Sequence, residues 1–352
     1  MRRTEMHLHN AERPGGRPHR VTLKVLAQHV GLATGTVSAV LNNTLAASSM
    51  PQHTRDRVWA AAQELDYRPD FFARSLRGKR TFTIGVIAEV GDVYSAILLK
   101  GIEEHLGKHG FFFLAASHQH DAKVLESYSN LFMDRGVEGF IAVDAPVLKP
   151  LPLPTVAIAG RQPVQGVTNL VLNQVRGAWL AVQHLLELGH TEIAVMEGPV
   201  SSSDSADRAL AIRNVFHALC IPSPPALRIQ LEGDCGNPEA GYACTRKLLE
   251  RSQRFTALLA YNDVSAMGAI SAIHESGLRV PQDISIVGFD DIPAAAYSNP
   301  SLTTVHQPLL KMGEVAARTL LEKIENPERT YEEILIEPEL VLRESTGAAR
   351  PR

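Results

Sequence analysis

The stretch TLKVLAQHVGLATGTVSAVLN, residues 22–42, decides how the N-terminal part of this chain folds. Its apolar residues recur at helical spacing in two short runs, which predicts two amphipathic helices joined by a tight turn. Ala27 is small enough to let the second helix cross closely, Gly31 can adopt the left-handed turn conformation, and Val37 fills the gap between the helices. This spacing fits a helix-turn-helix, whose second helix, about residues 34–42, would enter a DNA major groove. An ordinary helical hairpin in a core fits it equally well.

The charge of the chain is unevenly distributed. Residues 1–80 carry 13 Lys and Arg against 6 Asp and Glu, a balance of +7, and the whole chain carries −3, which leaves −10 for the rest. A basic head on an acidic body is typical of a head that meets phosphates. A solvated basic face is the alternative, and the helix-turn-helix pattern within the basic part favours the first interpretation.

Length and composition set the class of protein. With 352 residues and 45% hydrophobic content, the chain can fold into two or three domains. No apolar run reaches transmembrane length, and residues 1–20 lack the apolar core of a signal peptide, so we expect a cytoplasmic protein. The five arginines and the Pro-Gly-Gly breaker of residues 1–20 predict a disordered basic arm.

The pattern changes after the head. A third helix over residues 51–65 closes a small core, and from residue 81 short apolar strands alternate with helices. Strands are predicted at 81–88, 111–116, 139–143, 155–159, 192–196, 257–260 and 284–288, and helices at 96–109, 122–135, 175–189, 206–219, 238–253 and 264–277. This alternation predicts an α/β fold with two parallel sheets. A ligand is expected in a cleft between two lobes, beyond the carboxyl ends of the strands.

Several motifs occur in an order and spacing known from one family. They are TVSAVLNN at 36–43, TRDRVWAAAQELDYRPD at 54–70, ARSLRG at 73–78, HLLELGH at 184–190, Asn262-Asp263, GLRVPQDISIVGFDDIP at 277–293 and PSLTTVHQP at 300–308. Over residues 21–346 the chain resembles the lactose/galactose repressor (LacI/GalR) family of bacterial transcription regulators. The resemblance implies a homodimer, or a higher oligomer, that binds palindromic double-stranded operator DNA, represses a catabolic operon and responds to a sugar or related metabolite.

The resemblance also implies a domain organisation. The fold would comprise a three-helix helix-turn-helix head, a hinge helix and a two-lobed core similar to a periplasmic sugar-binding protein. The expected bounds are an arm at 1–20, the head at 21–66, the hinge at 67–80, an N-terminal lobe at 81–172 with 306–336, a C-terminal lobe at 173–305 with 337–346, and a tail at 347–352.

The resemblance assigns DNA contacts residue by residue. Phosphate contacts are expected from Thr22, Thr36, Ser38 and Asn42, and base contacts from Thr34 and Gly35. Local backbone capping is the alternative role for the hydroxyl groups.

The head also departs from the family pattern. Ala39 stands where the family usually has Arg, so a side chain that could grip guanine is absent. Ala33 replaces the usual Ser cap, at a cost of about 1 kcal/mol. The loop over residues 43–50 is longer than usual. Because of these departures, the operator sequence is not predicted. The prediction that the head binds DNA is unaffected.

In the hinge, the resemblance points to Leu76. Residues 71–78 would form a helix on DNA, and the two Leu76 side chains of a dimer would wedge into a central base step and open the minor groove. The alternative is that Leu76 packs on the core of its own chain.

In the core, the resemblance assigns the effector to six residues, namely Tyr94, Arg161, Arg208, Cys235, Asn262 and Asp290. Asp and Arg offer complementary acceptors and donors to sugar hydroxyls or to a purine edge. A surface or hinge salt bridge is the alternative role. Cys235 stands where sugar-binding relatives place an aromatic platform, so the stacking surface for an ordinary pyranose is missing. Inducer and corepressor, and repression and activation, all stay open.

Catalysis and metal binding lack signals in this sequence. It has no GxSxG, P-loop, HExxH or CxxC motif, and the spacing of His118 and His120 is by itself a weak signal for a metal. We therefore expect no enzyme activity, no metal and no cofactor. A small-molecule-binding protein or an enzyme with an incidental helical head is the alternative.

Overall fold

The computed structural model of this protein describes residues 21–42, 45–67, 80–119, 121–145, 147, 149–159, 163–200, 202–232, 236–329 and 333–350. The chain divides into two compact units, Met1–Thr81 and Phe82–Arg352, here called the head and the core. Within the described ranges, no helix combines the length and the apolar character needed to cross a bilayer.

Four helices make up the described part of the head. They are α1 (Leu23–Val30), α2 (Thr34–Leu41), α3 (Leu45–Ser48) and α4 (Gln52–Glu64). Helix α1 begins after Thr22, whose hydroxyl accepts a hydrogen bond from the Val25 N–H at 3.3 Å. It ends at Gly31, whose φ of +71° suits a residue without a Cβ. The predicted helix-turn-helix is confirmed.

The head has its own hydrophobic core. Leu26, Val37 and Val58, from α1, α2 and α4, are fully buried together, and Ala27 lies among them. The loop predicted over residues 43–50 is wrong in part, because α3 lies within it and buries Ala47 against this core. A four-residue helix is too short to show a helical period, so the sequence pattern could not reveal it.

The first sheet of the core is entirely parallel. Its strands are β1 (Thr83–Ile87), β2 (Phe112–Ala116), β3 (Phe140–Val143), β4 (Thr155–Ile158), β5 (Val167–Leu172) and β11 (Ile334–Ile336). They lie in the order β11-β5-β4-β3-β1-β2. Strands β1, β3 and β4 are buried throughout, as expected for a parallel sheet with helices on both faces.

The second sheet repeats this arrangement with one antiparallel edge. Its strands are β6 (Ile193–Glu197), β7 (Arg228–Gln230), β8 (Ala257–Leu259), β9 (Ser285–Asp290), β10 (Thr303–His306) and β12 (Glu339–Val341). They lie in the order β12-β10-β9-β8-β6-β7, and only β12 runs antiparallel, beside β10, among these described strands. The predicted two-sheet α/β core is confirmed.

The helices of the core connect and cover these strands. They are α5 (Val93–Lys108), α6 (Ala122–Asp134), α7 (Gln174–Glu187), α8 (Ser203–Ala218), α9 (Pro238–Leu249), α10 (Asp263–Glu275) and α11 (Leu309–Glu325). The chain passes between the sheets after β5, after β10 and again between β11 and β12. Helix α11 therefore packs with the first sheet although it follows a strand of the second.

Helices α5 and α11 touch backbone to backbone. A Cβ at Gly101 would lie 2.1 Å from the Leu310 carbonyl oxygen, and one at Gly313 would lie 2.2 Å from the Leu98 carbonyl oxygen. Both distances are far inside contact range, so only glycine allows this approach. The close contact joins a helix that follows β1 to the helix that returns the chain to the first sheet.

We predict that Gly101→Ala lowers the free energy of unfolding of the core by about 1–3 kcal/mol, because the two helices must move apart. Gly107→Ala is the matched control. Gly107 lies in the same helix with open space around it, so its substitution should raise stability by about 0.5–1 kcal/mol through helix propensity. Urea unfolding followed by circular dichroism measures both changes. Equal effects of the two substitutions would contradict the close packing.

Candidate functional site

A cavity opens in the core between segments of the two sheets. Its walls come from residues that follow β1, β3, β8 and β9 and from the first turns of α5 and α8. It contains ≈ 670 Å³ of free space, counting its open mouth. The carboxyl ends of parallel strands are where α/β folds bind small molecules.

Arg208 is the central cation of this cavity. Its guanidinium is 4% exposed and donates to the Asp204 carboxylate at 2.7 Å, to the Tyr261 carbonyl at 2.7 Å and to the Gln174 side-chain oxygen at 3.2 Å. It also stacks on the Phe289 ring, 3.6 Å from the centroid. Burial alone would lower the pKa of Arg208, but Asp204, Tyr261, Asp290 and Tyr94 together raise it above its usual value, so the group stays charged.

Asp290 ends strand β9 at the cavity wall. Its carboxylate is 5% exposed and accepts a hydrogen bond from the Gln307 amide at 2.6 Å. Burial raises the pKa of Asp290 well above its usual range, and nearby Arg208 opposes this shift. Its φ of +112° is unusual for a residue with a side chain, and such strain concentrates at functional sites. The next residue, Asp291, instead binds Arg343 at 2.6 Å.

Two polar atoms in the cavity wall lack partners within the described part of the chain. One is the Tyr94 hydroxyl, and the other is Oε2 of Glu89, whose Oε1 accepts a hydrogen bond from Ser117. A buried polar atom without a partner costs about 1–3 kcal/mol, so such atoms are uncommon unless a ligand or water meets them. Their presence in one cavity makes it the candidate binding site.

Asn262 has a structural role as well as a place in the wall. Its side-chain oxygen accepts the Ser265 N–H at 2.8 Å, and its own N–H donates to the Ser265 hydroxyl at 3.1 Å. This capping box starts α10 and fixes the position of Asn262 at the cavity.

The sequence pattern did not reveal the acidic part of this wall. Besides Glu89, the cavity is lined by Asp92, Asp144 and Asp204. Asp92 caps α5 through the Ser95 N–H, and Asp144 directly follows β3. A polar residue immediately after a predicted strand is a signal that could have found Asp144, whereas the position of Asp204 depends on its pairing with Arg208.

Of the six residues predicted for the effector, the structure brings Tyr94, Arg208, Asn262 and Asp290 together around this cavity. Arg161 and Cys235 lie outside the described residues. His118 is buried and its Nε2 hydrogen-bonds the Val143 carbonyl at 3.1 Å, and His120 lies outside the described residues.

In the head, the residues predicted to read bases lie at the start of α2. Thr34 and Gly35 are exposed, and Thr36 is half-buried one residue further on. Ala33 precedes them as the N-cap residue and makes no side-chain hydrogen bond. The first N–H groups of α2 are therefore not occupied by a capping side chain. Such a helix N-terminus suits contact with a nucleic acid.

The residues predicted to contact phosphates also make local hydrogen bonds. Thr22 caps α1, and the Asn42 amide donates to the Ser38 carbonyl at 2.8 Å and to the Ser38 hydroxyl at 3.2 Å. Leu76, together with residues 68–79 as a whole, lies outside the described residues. The expected wedge and hinge helix therefore stay predictions.

Asp263, next to Asn262, is a buried carboxyl group that links α10 to β10. It accepts hydrogen bonds from the Thr304 hydroxyl at 2.5 Å and from the Ile292 N–H at 2.9 Å. Burial raises the pKa of Asp263 to about 7, although these two hydrogen bonds act in the opposite direction.

We predict that this carboxyl group destabilises the core as pH rises from about 4 to about 7. Because its pKa is higher in the folded chain than in the unfolded one, the folded state holds the proton over that range and loses stability as the proton leaves. Asp263→Asn should flatten the slope of unfolding free energy against pH, and the exposed Asp134→Asn should not. Equal slopes in wild type and Asp263→Asn would contradict the assignment.

Comparison with known proteins gives two family matches. Residues 22–70 match the family described as "Bacterial regulatory proteins, lacI family", and residues 182–346 match a "Periplasmic binding protein-like domain". The HTH-type transcriptional repressor PurR of Escherichia coli is 32% identical over 336 residues, which cover 93% of this chain and 97% of the relative. PurR of Shigella sonnei matches with the same identity and coverage.

Solved structures give the same result over most of the chain. The lac repressor dimer bound to operator and the anti-inducer ONPF has a TM-score of 0.82 and 28% identity, with 94% of this chain and 100% of that one covered. The CelR–cellobiose complex has a TM-score of 0.67 and 27% identity, with 93% and 100% covered. A LacI-family regulator from Enterococcus faecium with bound ribose has a TM-score of 0.66 and 28% identity, with 76% and 100% covered.

Proposed function

Because this chain belongs to the LacI family of bacterial transcription regulators, with a helix-turn-helix head and a periplasmic-binding-protein-like core, we propose that it binds a palindromic operator as a homodimer and represses a catabolic operon. A small molecule in the core cavity controls this binding. The cavity with its unpartnered polar atoms is the observation that carries the proposal of a ligand-controlled regulator. The relatives named above are regulators, not enzymes, and we assign this chain no catalytic role.

The head would read DNA through α2. Thr34 and Gly35, exposed at its N-terminus, would meet base edges in the major groove. Phosphate contacts would come from the predicted set Thr22, Thr36, Ser38 and Asn42. Thr22 and the Ser38–Asn42 pair hydrogen-bond locally, as the capping alternative expects, so their phosphate contacts are proposed on the family resemblance alone.

The core would hold the effector between its two sheets. Tyr94 comes from the segment after β1, and Arg208, Asn262 and Asp290 come from segments next to the second sheet. A ligand that bridges both sets favours one placement of the sheets over others, and that preference is the source of allosteric control. Arg161 and Cys235 complete the proposed set on the strength of the family resemblance alone.

Whether the ligand acts as an inducer or as a corepressor depends on which placement of the two sheets favours DNA binding. An inducer and a corepressor both need a coupling free energy of only about 1–3 kcal/mol. A regulator of chromosomal DNA works where the chromosome is, so we place this protein in the cytoplasm.

The first test is selection of binding sites from random duplex DNA. We expect the full-length protein to enrich a palindromic sequence, and its affinity for that duplex should fall linearly in a plot of log affinity against log salt concentration, since phosphate contacts release counterions. A scrambled duplex of the same composition is the control. Failure to enrich any palindrome, with and without candidate metabolites, would rule out the proposed function.

The second test concerns the hinge. We predict that Leu76→Ala weakens operator binding strongly, because the base step loses its apolar wedge, and leaves metabolite affinity unchanged. Leu131→Ala, at an exposed position on α6, is the matched control and should change neither. Gel-shift titration and thermal-shift titration measure the two affinities. Equal operator affinity of Leu76→Ala and wild type would exclude the wedge.

A further inference from the structure

The cavity of the core has a strongly acidic wall. Of the described residues that line it, five carry carboxyl groups and one, Arg208, carries a cation. The carboxyl groups belong to Glu89, Asp92, Asp144, Asp204 and Asp290, and burial raises the pKa of Asp290 well above its usual range, so the acidic character rests on the other four. Because opposite charges attract and like charges repel strongly in a site with restricted water, this balance selects among ligands by their charge.

Arg208 does little to reduce this negative field for a ligand. Its guanidinium already pairs with Asp204 at 2.7 Å, so the two charges largely cancel. Three of its five N–H donors are used by Asp204, Tyr261 and Gln174. An anionic ligand would therefore have to compete with Asp204 for this group and would also face the remaining carboxylates.

The other carboxyl groups differ in the hydrogen bonds that they accept from the protein. Asp92 accepts the Ser95 N–H at the start of α5, and Asp290 accepts the Gln307 amide. Glu89 differs from these, because its Oε2 is buried and lacks a hydrogen-bond partner in the described part of the chain. A buried carboxylate oxygen of this kind needs a donor, and a cationic donor serves it best.

Tyr94 provides a second unpartnered atom in the same wall. Its hydroxyl is buried, and burial, followed by the charges of Asp204, Asp144 and Asp290, raises the pKa of Tyr94 well above its usual range. The hydroxyl is thus neutral and lies in a field that attracts positive charge. It can accept a hydrogen bond from a ligand N–H or donate one to a ligand hydroxyl.

We propose that the effector carries a protonated amine on a hydrogen-bonding frame such as a polyol, and that Glu89 and Tyr94 are the residues that select it. The amine binds Glu89, and polar groups of the frame meet Tyr94, Asp290 and the remaining donors of Arg208. Phosphorylated and carboxylated metabolites are disfavoured by the same wall. This inference rests on the proposed function, since it assigns the chemistry of the ligand that controls the regulator.

The test uses sets of probes that share one frame and differ in charge. Glucosamine, glucose and glucuronate form one set, and galactosamine, galactose and galacturonate form another. Thermal-shift titration at pH 7 with the full-length protein should show the largest stabilisation with an amine in at least one set and the smallest with its acid. A larger or equal effect of the neutral sugar or acid in every set would overturn the proposal, and so would the absence of stabilisation by every amine.

Substitution then identifies the residue responsible. Glu89→Gln keeps the shape of the side chain, so the affinity advantage of the amine over its neutral parent should fall about 10-fold, the difference between a charge-assisted and a neutral hydrogen bond. Glu103→Gln, at an exposed position on α5, removes one negative charge outside the cavity and should leave the advantage unchanged. Tyr94→Phe should weaken the binding of both the amine and its neutral parent. An unchanged amine advantage in Glu89→Gln would overturn the assignment of Glu89.

Operator binding separates this inference from the function on which it rests. If the selected duplex still binds wild type and Glu89→Gln, while the neutral or acidic probes stabilise the protein best, only the ligand chemistry is wrong. If no duplex is preferred, the regulator function itself fails.

Discussion

The buried guanidinium of Arg208 is the interaction on which the cavity depends. A buried cation must be paired, and this one holds together Asp204 on α8, the Tyr261 carbonyl after β8 and Gln174 at the start of α7, with Phe289 of β9 beneath it. Four segments around the second sheet are therefore fixed by a single side chain. Breaking such a pair typically costs about 3–5 kcal/mol, so the wall of the cavity is firm before any ligand arrives.

The remaining wall comes from the first sheet and completes the site. Glu89 and Tyr94 follow β1 and present polar atoms that the described protein does not satisfy by itself. A pre-organised half with Arg208 and an unsatisfied half with Glu89 suit the proposed binding of an effector, because a ligand that meets both halves gains more than one that meets only one of them. The chain passes between the sheets three times, so a change in their placement involves three connections.

The sequence predicted seven of the twelve described strands, because buried strands such as β1, β3 and β4 are continuous apolar runs. It did not reveal β5 and β10, in which buried polar residues interrupt the apolar pattern, or β7, β11 and β12, which have three residues each. The family resemblance pointed to Arg208 and Asp290, but not to their burial or to Phe289, which depend on packing between distant segments. Glu89 was missed because its unpartnered oxygen exists only in the folded cavity.

Reciprocal titration tests the central claim, that a ligand in the core cavity controls a DNA-binding head. The affinity of the full-length protein for its selected duplex is measured with and without the metabolite that stabilises it best, and the affinity for that metabolite is measured with and without the duplex. Because linkage is reciprocal, we predict that both affinities change by the same factor, roughly 5–150-fold. A metabolite that binds in the cavity and leaves duplex affinity unchanged would contradict the account.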